Sequence, residues 1–468
     1  MPGTEPRILT TAGAVRGGQE DGIAVFRGIP FARPPVGELR FAAPARPEAW
    51  IGTRDAFDFG PPAPQSRTGR IAPARVADGD EWLTVNVWSP GLGAAKLPVM
   101  VWIYGGAYVA GYSGDPAYDG ARLARLGVVV VSFNYRVGME GFAQLEGAPA
   151  NRGLLDQVAA LRWVRDNIAP FGGDPDNVTV FGQSAGAGSI AALLGMDAAA
   201  GLFRRAIAQS VPGTFFSAAL AADIAAAAAQ EVGARPTAAD LAGIDPDRLV
   251  AAGDAVVASF GERAGRWGAV AHTLTPFSPV VDGEVLTAAP WAALAAGRAR
   301  DIDLLVGHNR DECRVFTAGQ AASLAALEAQ AALGAFSPQP DGEDAYQAAY
   351  PDADAARLYE LAYSDWLFRM PSLHLADAHT AGGGTAFLYE LSYPAPAAAG
   401  LGACHGLDVP LVFGSFGAGF GRMLFGDPPP AAAVDLGELM RASWTAFAAT
   451  GDPLGPDPAC PYQPVTRS

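Results

Sequence analysis

Lysine is nearly absent from this 468-residue chain: Lys96 is the only one, so arginine carries almost all of the positive charge. Acidic residues outnumber basic ones 48 to 32, giving a formal net charge of −16. That balance excludes the basic face expected of a nucleic-acid binder. Cysteine is scarce too. Cys313, Cys404 and Cys460 are an odd, widely spaced set that gives no disulfide framework. Long apolar runs are missing; Val128 to Val131 is typical and far too short to span a bilayer. Residues Met1 to Gly17 show no basic start followed by an apolar core, so the expectation is a cytoplasmic protein with no membrane association. No H-E-x-x-H, no paired C-x-x-C and no G-x-G-x-x-G placed after a strand occurs, so neither metal nor cofactor is expected.

What is present is organised around Val178 to Ser189. A β-branched strand, Val178 to Phe181, runs into Gly182-Gln183-Ser184-Ala185-Gly186, and an apolar helix is expected from Ser189 to Met196. A serine held on a sharp strand-to-helix turn needs neighbours with little side chain, or the two backbones collide. The turn lifts the hydroxyl above the sheet edge and aims the Ala185 N–H and the positive helix end at one point.

Other strands and helices alternate along the chain. Ile8 to Phe26 suits short antiparallel strands. Trp82–Trp88, Leu97–Tyr104, Val128–Phe133, Ala206–Ala208, Leu304–Gly307 and Ala386–Leu391 read as further strands. Helices are expected at Leu154–Ile168, across 215–270 with breaks near Pro236 and Pro246, and at Ala321–Leu333, Asp354–Leu367 and Leu436–Ala449. This alternation predicts an α/β fold with a large, mostly parallel sheet covered by helices on both faces. No linker divides it, so residues 1–468 are expected to form one domain.

Several stretches together resemble the type-B carboxylesterase family of α/β-hydrolases, which includes bacterial para-nitrobenzyl-type esterases and the cholinesterases. They are Phe26 to Phe41, Asp80 to Val87, Trp102-Ile-Tyr-Gly-Gly-Ala-Tyr108, Asn134-Tyr-Arg136, Asn151 to Gln157, Phe171 to Pro175, Pro279 to Gly283 and His405-Gly406. The resemblance implies the α/β-hydrolase fold, helical insertions over a gorge, and ester hydrolysis by a Ser-His-Glu triad.

A serine hydroxyl needs a base to take its proton and a third group to orient that base. Five histidines compete for the base role. His272, His374 and His379 sit in ordinary text, and His308 precedes the acid; His405 matches the family's catalytic histidine. The resemblance places the acid on Glu312, with Asp311 and Asp408 as rivals, and puts Cys313 where the family has glycine. Oxyanion donors are expected at Gly106, Ala107 and Ala185, with Ala107 replacing a third glycine. Gln183 stands where cholinesterases carry glutamate. The family's loop disulfide is absent, its positions reading Ala63 and Trp82. Between them no aromatic residue offers a cation face, so choline esters are poor candidates. Arg67, Arg70 and Arg75 on that loop read as solvated charge rather than a carboxylate site, and Cys404 as a small buried filler rather than a nucleophile. Gln183, Thr273, Thr275, Phe277, Val315 and Phe316 are placed near the substrate pocket by resemblance. The expected partner is a small-molecule ester; a non-catalytic adhesion-type homologue, or the same machinery acting on amides or carbamates, are the alternatives.

Overall fold

A computed structural model describes residues 5–66, 79–93, 95–318, 333–337, 341–453 and 463–464. The runs rich in valine and isoleucine become strands: β1 (Ile23–Pro30), β2 (Thr84–Ser89), β3 (Leu97–Ile103), β4 (Val129–Phe133), β5 (Gly173–Gln183), β6 (Arg205–Gln209), β7 (Asp303–Asn309) and β8 (Ala386–Leu391). They form a ten-stranded sheet in the order Gln463–Pro464, β8, β7, β6, β5, β3, β4, β2, β1, Gly18–Glu20. From β8 to β4 every pairing is parallel; β2, β1 and the two outermost pairings are antiparallel. Strands β4 and β6 are buried along their whole length, as parallel strands covered on both faces must be.

The main helices are α1 (Arg152–Asn167), α2 (Ala185–Gly195), α3 (Ala218–Glu231), α4 (Pro246–Ala258), α5 (Met370–Ala381), α6 (Asp408–Phe413) and α7 (Ala431–Thr450). Helix α2 starts at once after Ser184 rather than at Ser189, because Ala185, Gly186, Ala187 and Gly188 are its first turn, not a loop before it. Pro246 opens α4 instead of breaking a helix, as proline can at a first turn where its missing N–H is not needed. Helix α7 begins five residues before Leu436. The helix foreseen from Asp354 runs as Ala355–Ser364, with Asp354 capping the Arg357 N–H, and continues as a π-helical turn over Asp365–Arg369. Helix α5, which carries His374 and His379, was not foreseen. The loop arginines Arg67, Arg70 and Arg75, Cys460 and most of Ala321–Leu333 lie outside the described residues.

One hydrophobic cluster fills the sheet and its flanking helices. A second, smaller one gathers Cys313, Phe336, Leu358, Tyr359, Tyr363 and Phe368. Strands β3, β5, β6 and β7 are parallel, so their carboxyl ends share one edge of the sheet. That edge delivers Gly105–Ala107, Ser184, Ser210 and Glu312, where open α/β sheets form their sites. Among the described residues no helix is long and apolar enough to cross a membrane.

Candidate active site

Ser184 sits at φ 58°, ψ −126°, between the end of β5 and the first turn of α2. A non-glycine residue in such a region costs about 1–3 kcal/mol and persists only when its surroundings over-determine it. Here the Ser184 N–H donates to Gln209 O at 2.9 Å and its carbonyl accepts from the Gly188 N–H at 2.9 Å. The flanking glycines are required by contact with the end of β3. A Cβ on Gly186 would lie 1.9 Å from Ile103 O, and one on Gly182 2.6 Å from the same oxygen.

Glu312 lies three residues past β7 and is fully buried. The His405 Nδ1–H donates to Glu312 Oε2 at 2.5 Å. The other carboxylate oxygen, Oε1, accepts from Ser210 Oγ at 2.6 Å and from the Asn309 N–H at 2.7 Å. The two loops are also tied through their backbones: His405 N–H donates to Glu312 O at 3.0 Å, and Asp311 N–H to Ala403 O at 2.9 Å. Asp311 is therefore a brace. Its carboxylate accepts from the Ala403 N–H at 3.0 Å and pairs with Arg314 at 2.6 Å, facing away from the imidazole. The His405 ring stacks on Phe368, with centroids 4.1 Å apart at 26°, and Phe316 lies at 5.4 Å.

The other histidines are engaged elsewhere or exposed. His308 is buried on β7 with Nε2 3.9 Å from Glu390, His379 donates to Ile302 O at 2.8 Å, His272 packs on Phe336, and His374 is exposed. Cys404 is buried, its thiol pushed up to about 12 by desolvation, which suits a filler and not a nucleophile.

Asp408 is fully buried on α6 and forms no ion pair with a lysine or arginine among the described residues. It accepts from Gln209 Nε2 at 2.6 Å and from Asn309 Nδ2 at 3.5 Å. Burial raises its pKa; the Gln209 hydrogen bond opposes this and the Glu312 charge adds to it. A carboxyl with a raised folded-state pKa costs nothing at low pH, where both states are protonated. Its cost grows as pH climbs from the unfolded value toward the folded one. Asp408→Asn is therefore expected to keep kcat within about threefold. Its gain in Tm is expected to be absent near about pH 4 and to grow toward neutrality. Thermal melts across pH, with kcat alongside, check this.

The N–H groups of Gly106, Ala107 and Ala185 donate to no acceptor among the described residues. Gly106 and Ala107 take φ 129° and 54°. Among the described residues no cluster of three or more His, Cys, Asp or Glu side chains is arranged to hold a metal.

The profile of the carboxylesterase family matches residues 4–468. The chain is 36% identical over 459 residues to the para-nitrobenzyl esterase of Bacillus subtilis, covering 96% of this chain and 91% of that protein. It is also 36% identical over 467 residues to the fumonisin B1 esterase of Sphingopyxis macrogoltabida, covering 96% and 83%. A solved PNB esterase structure superposes with TM-score 0.85 at 35% identity, covering 96% of this chain and 92% of that one. The Geobacillus stearothermophilus carboxylesterase EST55 gives 0.83 at 35%, covering 96% and 92%. The chain belongs to the carboxylesterase family.

In this carboxylesterase, Ser184 Oγ makes no hydrogen bond to His405. Gln183 occupies that side of the ring, its Nε2 standing 3.0 Å from His405 Nε2. The same nitrogen is 3.5 Å from Nδ1, so it lies over the ring face, and with the proton on Nδ1 facing Glu312 the Nε2 lone pair is the one a nucleophile would use. A carboxylate there would instead favour imidazolium. Gln183→Glu is expected to move the acidic limb of the kcat/KM profile up by about one pH unit or more; a pH–rate series read against the wild type checks it.

Cys313, which replaces a family glycine, has φ −81° and needs no glycine. It packs in the smaller cluster while its N–H donates to Ser364 Oγ at 2.9 Å. Of the pocket residues inferred by resemblance, Phe316 reaches the imidazole and Val315 is buried beside it. Thr273, Thr275 and Phe277 are buried, with Thr273 bonded to Val270 O and Phe277 facing Gly253 of α4. None of these three forms a hydrogen bond or ring contact with Ser184, Glu312 or His405. The sequence reading missed Ser210, Asn309 and Phe368. Ser210 and Asn309 could have been suspected, as polar residues at the carboxyl ends of buried parallel strands; Phe368 carries no local signal.

Proposed function

We propose that the carboxylesterase works through Ser184, His405 and Glu312 as nucleophile, base and orienting acid, within one catalytic unit spanning 1–468. The observation that carries this is the 2.5 Å bond from His405 Nδ1 to a fully buried Glu312, on the same sheet edge as the strained Ser184 turn. Ser184 Oγ loses its proton to His405 Nε2 and attacks the ester carbonyl. The negative oxygen is received by the N–H groups of Gly106, Ala107 and Ala185. The imidazolium, charge-matched by Glu312, protonates the departing alcohol, and a water activated by the same ring then releases the acid. A small-molecule ester is the substrate. A cytoplasmic location fits Cys313 and Cys404, both buried and unpaired.

Mixing enzyme with excess short-chain para-nitrophenyl ester tests the reading. A burst of about one nitrophenol per chain, and a fluorophosphonate adduct mapped to Ser184, support it. An adduct on another residue overturns it. An adhesion-type role is disfavoured because every triad position is filled.

Ala107 adds a methyl where the oxyanion loop passes the acyl carbon, at a φ of 54° that glycine would adopt without strain. Ala107→Gly is expected to raise turnover of tertiary-alcohol esters relative to slim ones by about tenfold, comparable to a steric relief of roughly 1.4 kcal/mol. A matched ester panel reads the ratio.

A further inference from the structure

The loop that follows β3 is held in a conformation it would not choose. Gly106, Ala107, Tyr108 and Gly111 have φ of 129°, 54°, 59° and 137°, and left-handed conformation at two consecutive non-glycine residues is strained. Internally, Gly106 O accepts from the Val109 and Ala110 N–H groups at 3.0 and 3.1 Å, and Tyr108 O accepts from Gly138 N–H at 2.6 Å. Neither contact fixes the far end of the loop. That end is gripped by one side chain from a distant part of the chain. Gln65 Nε2 donates to Gly111 O at 3.0 Å while Gly111 N–H donates to Gln65 Oε1 at 2.8 Å, a closed pair like two residues of adjacent strands. The remaining amide hydrogen goes to Ala63 O at 3.1 Å. Beside it Ser66 N–H donates to Val109 O at 3.2 Å, and Ser66 Oγ donates to Asp254 at 2.7 Å. Gln65 is buried and uses its oxygen and both amide hydrogens.

We propose that Gln65 is the positioning residue of the oxyanion loop: its amide fixes Gly111, and through the Ala110-to-Gly106 hydrogen bond it holds the Gly106 and Ala107 N–H groups on the developing oxyanion. This rests on reading those two groups as oxyanion donors. Among the described residues no other group pairs with the Gly111 N–H and C=O, so removal of the amide leaves this half-buried donor and acceptor without protein partners, which the loop relieves by shifting. Because the N–H groups act on the transition state, the effect falls on kcat and spares KM.

The test compares wild type, Gln65→Ala and Gln65→Glu on matched oxo- and thiono-ester pairs, since sulfur is the poorer hydrogen-bond acceptor. Wild type is expected to prefer the oxo-ester far more than hydroxide does; if it does not, the oxyanion reading of Gly106 and Ala107 fails. If wild type prefers it and Gln65→Ala keeps both that preference and kcat, the Gln65 proposal fails alone. The expected result is a kcat lower by about 10–100-fold, less than the loss of a whole donor, with KM within about threefold and a reduced oxo preference. Gln65→Glu decides the matter even if the alanine variant does not fold. As a carboxylate it faces Gly111 O and Ala63 O with no donor; once protonated it restores one. Burial and those two carbonyls raise its titration, and the carboxylate of Asp254, bound by the adjacent Ser66 hydroxyl, moves it the same way. The kcat ratio of this variant to wild type is therefore expected to rise as pH falls from about 8 to about 6. A flat ratio with unchanged Tm overturns the proposal.

Discussion

Glu312→Gln is expected to lower kcat/KM on a short-chain para-nitrophenyl ester by about 10⁴, the scale seen when a triad acid becomes an amide and the histidine tautomer is wrong. The reason lies in the two donors on the far side of the carboxylate. Ser210 Oγ and the Asn309 N–H both point at Oε1, at 2.6 and 2.7 Å. An amide placed here must turn its oxygen toward them, because its NH₂ would meet two donors. That leaves the NH₂ facing His405 Nδ1, which then becomes an acceptor, and the ring proton moves to Nε2. The base is now protonated on the nitrogen that must accept from Ser184. Ser210→Ala in the Glu312→Gln background removes one donor and is expected to recover part of the loss, whereas a merely misfolded site would worsen. Steady-state kinetics on the three variants, with Tm as a control, checks this.

Ser184→Ala is expected to cost more, on the order of 10⁶ in kcat, with no burst and with a residue of about 10³–10⁴ over water from the oxyanion donors and binding. Adding Glu312→Gln to it is expected to change the residual rate little, since the acid acts only through the base and the base only through the hydroxyl. Single-turnover assays of the double and single variants measure that lack of additivity. The alanine also tests backbone economy. Ser184 keeps φ 58° through contacts of its own backbone, its N–H to Gln209 O and its carbonyl to Gly188 N–H, so alanine inherits the same strain and the fold is expected to survive.

Much of this site could be read before any coordinates. The proposed acid and base, Glu312 and His405, are placed by the family resemblance, whereas the proposed nucleophile, Ser184, is a short-range signal, a serine between glycines on a strand-to-helix turn. The sheet was legible for the same reason, since runs such as Val99 to Ile103 and Val129 to Phe133 are long, apolar and β-branched. What escaped depends on distance along the chain. Phe368 reaches His405 because a π-helical turn over Asp365–Arg369 shifts the helical register, and nothing in the local residue pattern announces that extra turn. The clamp of Gln65 on Gly111 joins residues 46 apart through an amide that reads, in sequence, as loop polarity. Helix α2 was foreseen four residues too late because Ala185 to Gly188 look like turn residues, although their small size serves close packing on β3 instead.

The smaller apolar cluster carries a consequence for how such a molecule can change. It holds Cys313 on one side, next to Glu312, and Phe368 on the other, over the His405 ring, and it meets the main core through Phe316. Substitutions within it therefore bear on the seat of the imidazole before they bear on the sheet.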